Sequence, residues 1–125
     1  MPEYPDITVY IEALERHVLG REMREIRVMT PFLVRTYAPP IDTLRGQTLT
    51  GLRRVGKRIA FEFSNGHWMV LHLMIAGRLH WNNKRQALAS FVFENGTLTL
   101  TEAGSRRQAA VHVFADEDGV RGIDP

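Results

Sequence analysis

The chain has 125 residues, enough for one well-packed domain and too few for two ordinary ones. Hydrophobic residues at 44% and charged residues at 24% exclude a disordered or fibrous chain, and the lack of cysteine excludes a disulfide framework or a thiolate zinc site within these residues. A formal charge of +2, from 16 Lys+Arg against 14 Asp+Glu, is too small to demand a polyanionic partner, so the placement of the basic residues matters more than their sum.

Pro5 suits the first position of a helix. Ile7, Tyr10, Ile11, Leu14 and Val18 then recur at helical spacing before Gly20, which predicts one amphipathic helix at the start of the chain. Beyond it, β-branched and aromatic residues mark short strands at 25–29, 48–54, 58–63, 68–74, 78–81, 90–93, 97–101 and 110–114, with a short helical turn at 41–45. The pairs Asn65-Gly66 and Asn95-Gly96 are expected to form two-residue hairpin turns with positive φ. So many short strands with one helix predict a mainly β fold, a two-layer antiparallel β-sandwich or flattened barrel with the N-terminal α-helix packed at one end.

The apolar run from Trp68 to Leu73 is broken by His72 and falls far short of the roughly 20 residues of a membrane span. The acidic, proline-bearing N-terminus is unlike a secretory signal, so the expected location is the cytoplasm, in the bacterial cytosol or nucleoid, with no membrane partner. Strand periodicity ends near residue 115. The expectation is a domain over 1–115 and the start of a linker over 116–125.

Basic residues gather at Arg53, Arg54, Lys57 and Arg58, at Lys84 and Arg85, and at Arg106 and Arg107, all in turn-rich regions. If those turns share a face they form a phosphate-binding stripe; otherwise each is a solvated loop. The strongest chemical signal is Pro2. Removal of Met1 exposes a secondary α-amine, whose class titrates near 7.7–8.0 against about 10.4 for lysine, so a useful fraction is an unprotonated nucleophile near neutral pH. Attack of a secondary amine on sugar C1′ gives a permanently cationic iminium, which acidifies the C2′ proton and drives elimination of the 3′ phosphate. Glu3, next in sequence, is placed to protonate the sugar ring oxygen or carry the C2′ proton.

Met1-Pro2-Glu3-Tyr4-Pro5-Asp6 leading into a helix resembles the opening of the formamidopyrimidine-DNA glycosylase and endonuclease VIII family. Leu44-Arg45-Gly46-Gln47, then Arg53-Arg54-Val55-Gly56-Lys57-Arg58, then Leu71-His72-Leu73-Met74-Ile75-Ala76-Gly77-Arg78-Leu79 resemble its later landmarks in order and at compatible spacing. The resemblance implies two packed antiparallel sheets with an N-terminal helix. It also implies a base-excision DNA glycosylase and β-elimination AP lyase acting on damaged double-stranded DNA bearing oxidised bases; a monomer is the default expectation. Carried onto this chain, it makes Pro2 the Schiff-base nucleophile, Glu3 the general acid/base, Lys57 a phosphate-holding catalytic lysine and Met74 a wedge in the base stack. Arg54, Arg106 and Arg107 are implied DNA contacts.

Asp6 is a candidate carboxylate, shorter than the glutamate usual in the family. In the Gly104-Ser105-Arg106-Arg107-Gln108-Ala109 segment the family's arginine is kept and its phenylalanine is absent. No cofactor is implied within these residues; a zinc finger and a helix–two-turn–helix region are implied beyond Pro125, in a longer parent.

Two rivals follow from the same residues. One is a non-catalytic damaged-DNA-binding or interaction relative on the same scaffold. The other is a metal-dependent sandwich using His67, His72, His80 and His112, although no His-x-His or His-x-x-x-His pair supports it.

Overall fold

A computed structural model describes residues 4–83, 87–104 and 108–123, with the side chains of the first helix described from Ile7 onward. Helix α1 (Tyr4–His17) is followed, among the described residues, by eight strands: β1 (Met23–Val28), β2 (Leu49–Val55), β3 (Arg58–Phe63), β4 (Trp68–His72), β5 (Gly77–Trp81), β6 (Ala89–Phe93), β7 (Gly96–Glu102) and β8 (Ala110–Phe114). Two 3-10 turns, Pro31–Leu33 and Ile41–Leu44, separate β1 from β2, and helix α2 (Glu117–Ile123) follows β8. The strands make two four-stranded sheets, ordered β1-β6-β7-β5 and β2-β3-β4-β8, with every neighbouring pair antiparallel. This is the two-layer β fold with an N-terminal helix that the sequence pattern predicts. No helix among the described residues is long and apolar enough to cross a membrane.

Side-chain alternation decides the layers. Ile59, Phe61 and Phe63 of β3 enter the interior with Met69 and Leu71 of β4 and with Phe91 and Phe93 of β6. Arg58, Ala60 and Glu62 must therefore lie on the outer face of their sheet. Helix α1 adds Ile7 and Leu14 to that interior, and Val18 follows in the turn just after it, with Tyr10 and Ile11 partly buried against the core, as the helical spacing requires. Its C-terminal end is held at one end of the sandwich. The His17 carbonyl accepts a hydrogen bond from Asn95 Nδ2 at 2.7 Å, and the His17 ring stacks on Trp81 at 4.9 Å.

Residues 117–123, expected in a linker, form α2 instead. Its Val120 is buried with Val55, Ala60, Trp68 and Val70 on the outer face of the second sheet. Asp116 Oδ1 accepts the Gly119 N–H at 3.1 Å, and Glu117 and Asp118 in the first turn with Arg121 in the last suit the helix dipole. Arg53 pairs with Glu117 at 2.8 Å and lies 4.9 Å from the centroid of the Trp68 ring. That ion pair is exposed, so the apolar packing is what holds the helix down.

The Asn-Gly turns also differ from expectation. At Asn95-Gly96 the two-residue turn is Glu94-Asn95, because Phe93 pairs with Gly96, and none of these residues has positive φ. Gly96 answers a different constraint, since a Cβ there would lie 2.5 Å from the Trp81 ring. At Asn65-Gly66 only Gly66 has positive φ, and Phe63 N–H bonds the His67 carbonyl across a longer loop.

The docking of α2 makes two adjacent glycines behave oppositely. A Cβ on Gly119 would meet the Phe114 ring at 2.5 Å, whereas one on Gly122 meets nothing within 4 Å. Gly119→Ala is expected to loosen α2 and speed tryptic cleavage after Arg121. Gly122→Ala should slow that cleavage and raise stability by about 0.5–1 kcal/mol through helix propensity alone, as urea unfolding would measure.

Candidate functional site

Strand register gathers several separated segments at one rim of the sandwich. In the β2–β3 hairpin Val55 pairs with Arg58, leaving Gly56-Lys57 as a two-residue loop with positive φ at Gly56 alone, the type II′ pattern. Arg58 pairs with His72 of β4, and His72 pairs with Ala110 of β8. Lys57 therefore stands beside the chain as it leaves β4 through Leu73 and Met74. The start of β5 and the end of β7 close the same rim, Gly77 pairing with Glu102. The Glu102 carboxylate accepts the N–H groups of Gln108 and Ala109 at 3.0–3.1 Å, anchoring the chain that enters β8.

Met74 has φ of 59°, a left-handed conformation that costs a non-glycine residue roughly 1–2 kcal/mol. The turn is braced: Gly77 N–H bonds the Leu73 carbonyl at 2.9 Å, and Arg78 Nη1 donates to the carbonyls of Ile75 at 3.1 Å and Gly77 at 2.7 Å. A strained conformation held by such supports is a common feature of functional sites. Met74 is half-buried, and its neighbour Ile75 is 60% exposed.

The outer face at this rim is cationic. Arg58, His72 and His112 lie on three adjacent strands and on the same side of the sheet. Arg35 joins them from the segment beside β8, its N–H bonded to the Val111 carbonyl at 2.8 Å and its guanidinium to the carbonyls of Phe32 at 2.6 Å and Ala109 at 3.5 Å. Burial, then the charges of Arg58, Lys57 and His112, hold the His72 imidazole below the usual histidine range. Burial, then Arg35 and Arg58, lower His112 likewise. Both rings are therefore mainly neutral at pH 7. Among the described residues, His72 Nε2 is the buried side-chain polar atom without a hydrogen-bond partner.

Of the residues singled out from the sequence, Lys57 and Met74 come together at this rim. Arg54 lies on β2, lining with Arg53 and Arg121 a hollow of about 220 Å³ between the hairpin and α2. Pro2, Glu3, Arg106 and Arg107 lie outside the described residues, as do Lys84 and Arg85, and of Asp6 only the place in the first turn of α1 is described. The flanks of residues 105–107, at Gly104 and Gln108, emerge at the rim. His72 was singled out from the sequence only as a possible metal ligand, and Arg35 not at all. A signal for His72 existed, because it ends the apolar run of β4 on the outward parity; Arg35 had none, since its place depends on a non-local bridge between Val34 and Val111.

Two other histidines have local partners: His67 Nδ1 and Thr43 Oγ1 are 2.9 Å apart, as are His80 Nε2 and Thr101 Oγ1. No three His, Asp or Glu side chains converge among the described residues.

Comparison with known proteins agrees with this architecture. A family model described as the formamidopyrimidine-DNA glycosylase N-terminal domain matches residues 1–111. The formamidopyrimidine-DNA glycosylase of Mycoplasma genitalium is 28% identical over 122 residues, covering 91% of this chain and 43% of the relative. That of Paraburkholderia xenovorans is 37% identical over 82 residues, 63% of this chain and 29% of the relative. Among solved structures, MutM in complex with DNA containing carbocyclic 8-oxo-G superposes with a TM-score of 0.86 at 20% identity, over 97% of this chain and 47% of that one. The Lactococcus lactis Fpg with DNA containing an abasic site gives the same score and identity, over 97% and 46%. The chain thus spans less than half the length of these relatives, and the structural likeness speaks for the fold. With the match covering nearly the whole sequence, the chain belongs to the formamidopyrimidine-DNA glycosylase N-terminal domain family.

Proposed function

We propose that this chain supplies the reacting half of a DNA glycosylase and AP lyase that removes oxidised bases from damaged double-stranded DNA, working as a monomer. The observation that carries the reading is the rim itself: Lys57, Arg58 and His72 stand side by side next to the strained Met74 turn. A cationic strip binds the backbone of a polyanion, and an apolar side chain on a braced turn suits the gap left by an extruded base. Helix α1, fixed at His17 against the opposite end, carries Tyr4 about 20 Å along its axis from that anchor.

In the proposed reaction the Pro2 amine, freed by removal of Met1, attacks sugar C1′ while Glu3 protonates the ring oxygen and the damaged base departs. The resulting iminium has no N–H to lose, so it remains an electron sink. Loss of the C2′ proton to Glu3 then expels the 3′ phosphate and breaks the strand. Lys57 and His72 hold phosphates flanking the sugar, Met74 fills the vacated stack, and Arg54, Arg106 and Arg107 add contacts to the DNA. Asp6, in the first turn of α1, is a candidate partner for the reacting end.

Borohydride trapping of the full-length protein, confirmed free of Met1 by intact mass, on duplex DNA with an abasic site tests the chemistry. The expected adduct maps to Pro2, is strongly reduced by Pro2→Gly, and forms about 100-fold or more slowly with Glu3→Gln. Binding without any adduct would instead support the non-catalytic relative.

The histidine environment predicts a pH dependence. In the free protein His72 titrates below 6.5, and a neighbouring phosphate favours its protonated form, so the complex holds more protons than its parts. Affinity for abasic-site DNA should therefore strengthen as pH falls from 7.5 to 5.5. In His72→Gln that gain should shrink, as anisotropy titrations at constant salt would show.

A further inference from the structure

Phe32 is 81% exposed on the 3-10 turn Pro31–Leu33, while its neighbour Leu33 is 3% exposed and anchored in the core. The turn is held in place rather than free. Val34 bridges to Val111, and Arg35 Nε clamps the Phe32 carbonyl at 2.6 Å while its Nη2 reaches the Ala109 carbonyl. Thr36 Oγ1 accepts the Val113 N–H at 2.8 Å, extending the attachment along β8. A large apolar ring is thus presented to solvent on a fixed backbone beside the Arg35 guanidinium, at the end of the strip formed by Arg58, His72 and His112.

Resting on the DNA reading above, we propose that Phe32 is a stacking platform for a nucleobase of the bound DNA, with Arg35 beside it facing the attached phosphate. The juxtaposition decides the class of partner. A flat ring favours a π-face, and the guanidinium charges of Arg35 beside it and Arg58 on the same face favour a polyanion, which together describe a nucleotide better than an apolar peptide groove. Because the turn is already anchored by Leu33 and Arg35, little backbone entropy is lost when the ring is covered. The contact is tolerant of sequence, since every base has a face to stack, so Phe32 adds affinity for unstacked or distorted DNA without reading base edges.

The test uses the full-length protein and a duplex containing a tetrahydrofuran abasic site, titrated by anisotropy. Phe32→Ala and Phe32→Leu are each expected to weaken binding by about 5- to 50-fold, with Phe32→Tyr within about twofold of the unaltered protein. The dependence on salt should be unchanged, because no phosphate contact is removed, and thermal stability should hold because the ring is exposed. In Phe32→Trp the indole fluorescence should be quenched on adding DNA. Retained affinity in Phe32→Leu, or no quenching in Phe32→Trp, overturns the proposal. If the unaltered protein does not bind the duplex, the DNA reading fails and this inference with it; binding that Phe32→Ala leaves intact overturns the inference alone.

Discussion

Face-to-face packing of the two sheets constrains everything else in this molecule. Phe61, Phe63, Phe91, Met69 and Leu71 fill the interior, and the period of two in a strand then dictates what the opposite face carries. With Ile59 inside, Arg58 is outside; with Leu71 inside, His72 is outside; with Val111 inside, His112 is outside. A register slip of one residue in β4 would bury His72 beside Leu71's present neighbours and expose Leu71, a change the interior strongly resists. The cationic strip is therefore a consequence of core packing, assembled without any attraction among its own members.

That assembly has an electrostatic cost. Arg58, Lys57 and Arg35 crowd one rim, and the His72 and His112 rings there titrate low through burial first and these neighbouring charges second. Like charges held together by a rigid scaffold are a standing reserve for an anionic partner, since binding relieves repulsion that folding imposed. The same scaffold holds the left-handed Met74 by bonds to Leu73, Ile75 and Gly77. Charge strain and backbone strain thus meet at one place, while the opposite end, where α1 is capped by Asn95 and His17 stacks on Trp81, shows ordinary stabilising contacts.

Helix α2 shows how a short amphipathic segment escapes sequence reading. Two glycines in seven residues argue against a helix by propensity. Yet Asp116 as cap, acidic residues in the first turn and Arg121 in the last were all legible. What decided the matter was tertiary: an outer face of Val55, Ala60, Trp68 and Val70 that required cover, and a Phe114 ring that only a glycine could approach. The Asn95-Gly96 pair errs in the same way, because Gly96 is selected by the Trp81 ring and not by a turn dihedral.

The amino-acid sequence by itself determined the opening helix, through the spacing of Ile7, Leu14 and Val18, and the strands, through alternating apolar residues between turn formers. It also carried the family landmarks around Pro2, Lys57 and Met74, because motifs are local and survive as strings. Only the tertiary structure decided that Lys57 and Met74 share a rim, that His72 and Arg35 join them, and that Phe32 stands beside Arg35 in the open. These placements depend on pairings between residues tens of positions apart, Arg58 with His72, His72 with Ala110 and Val34 with Val111. Such pairings are chosen by the collective burial of both sheets, and no short stretch of sequence encodes them.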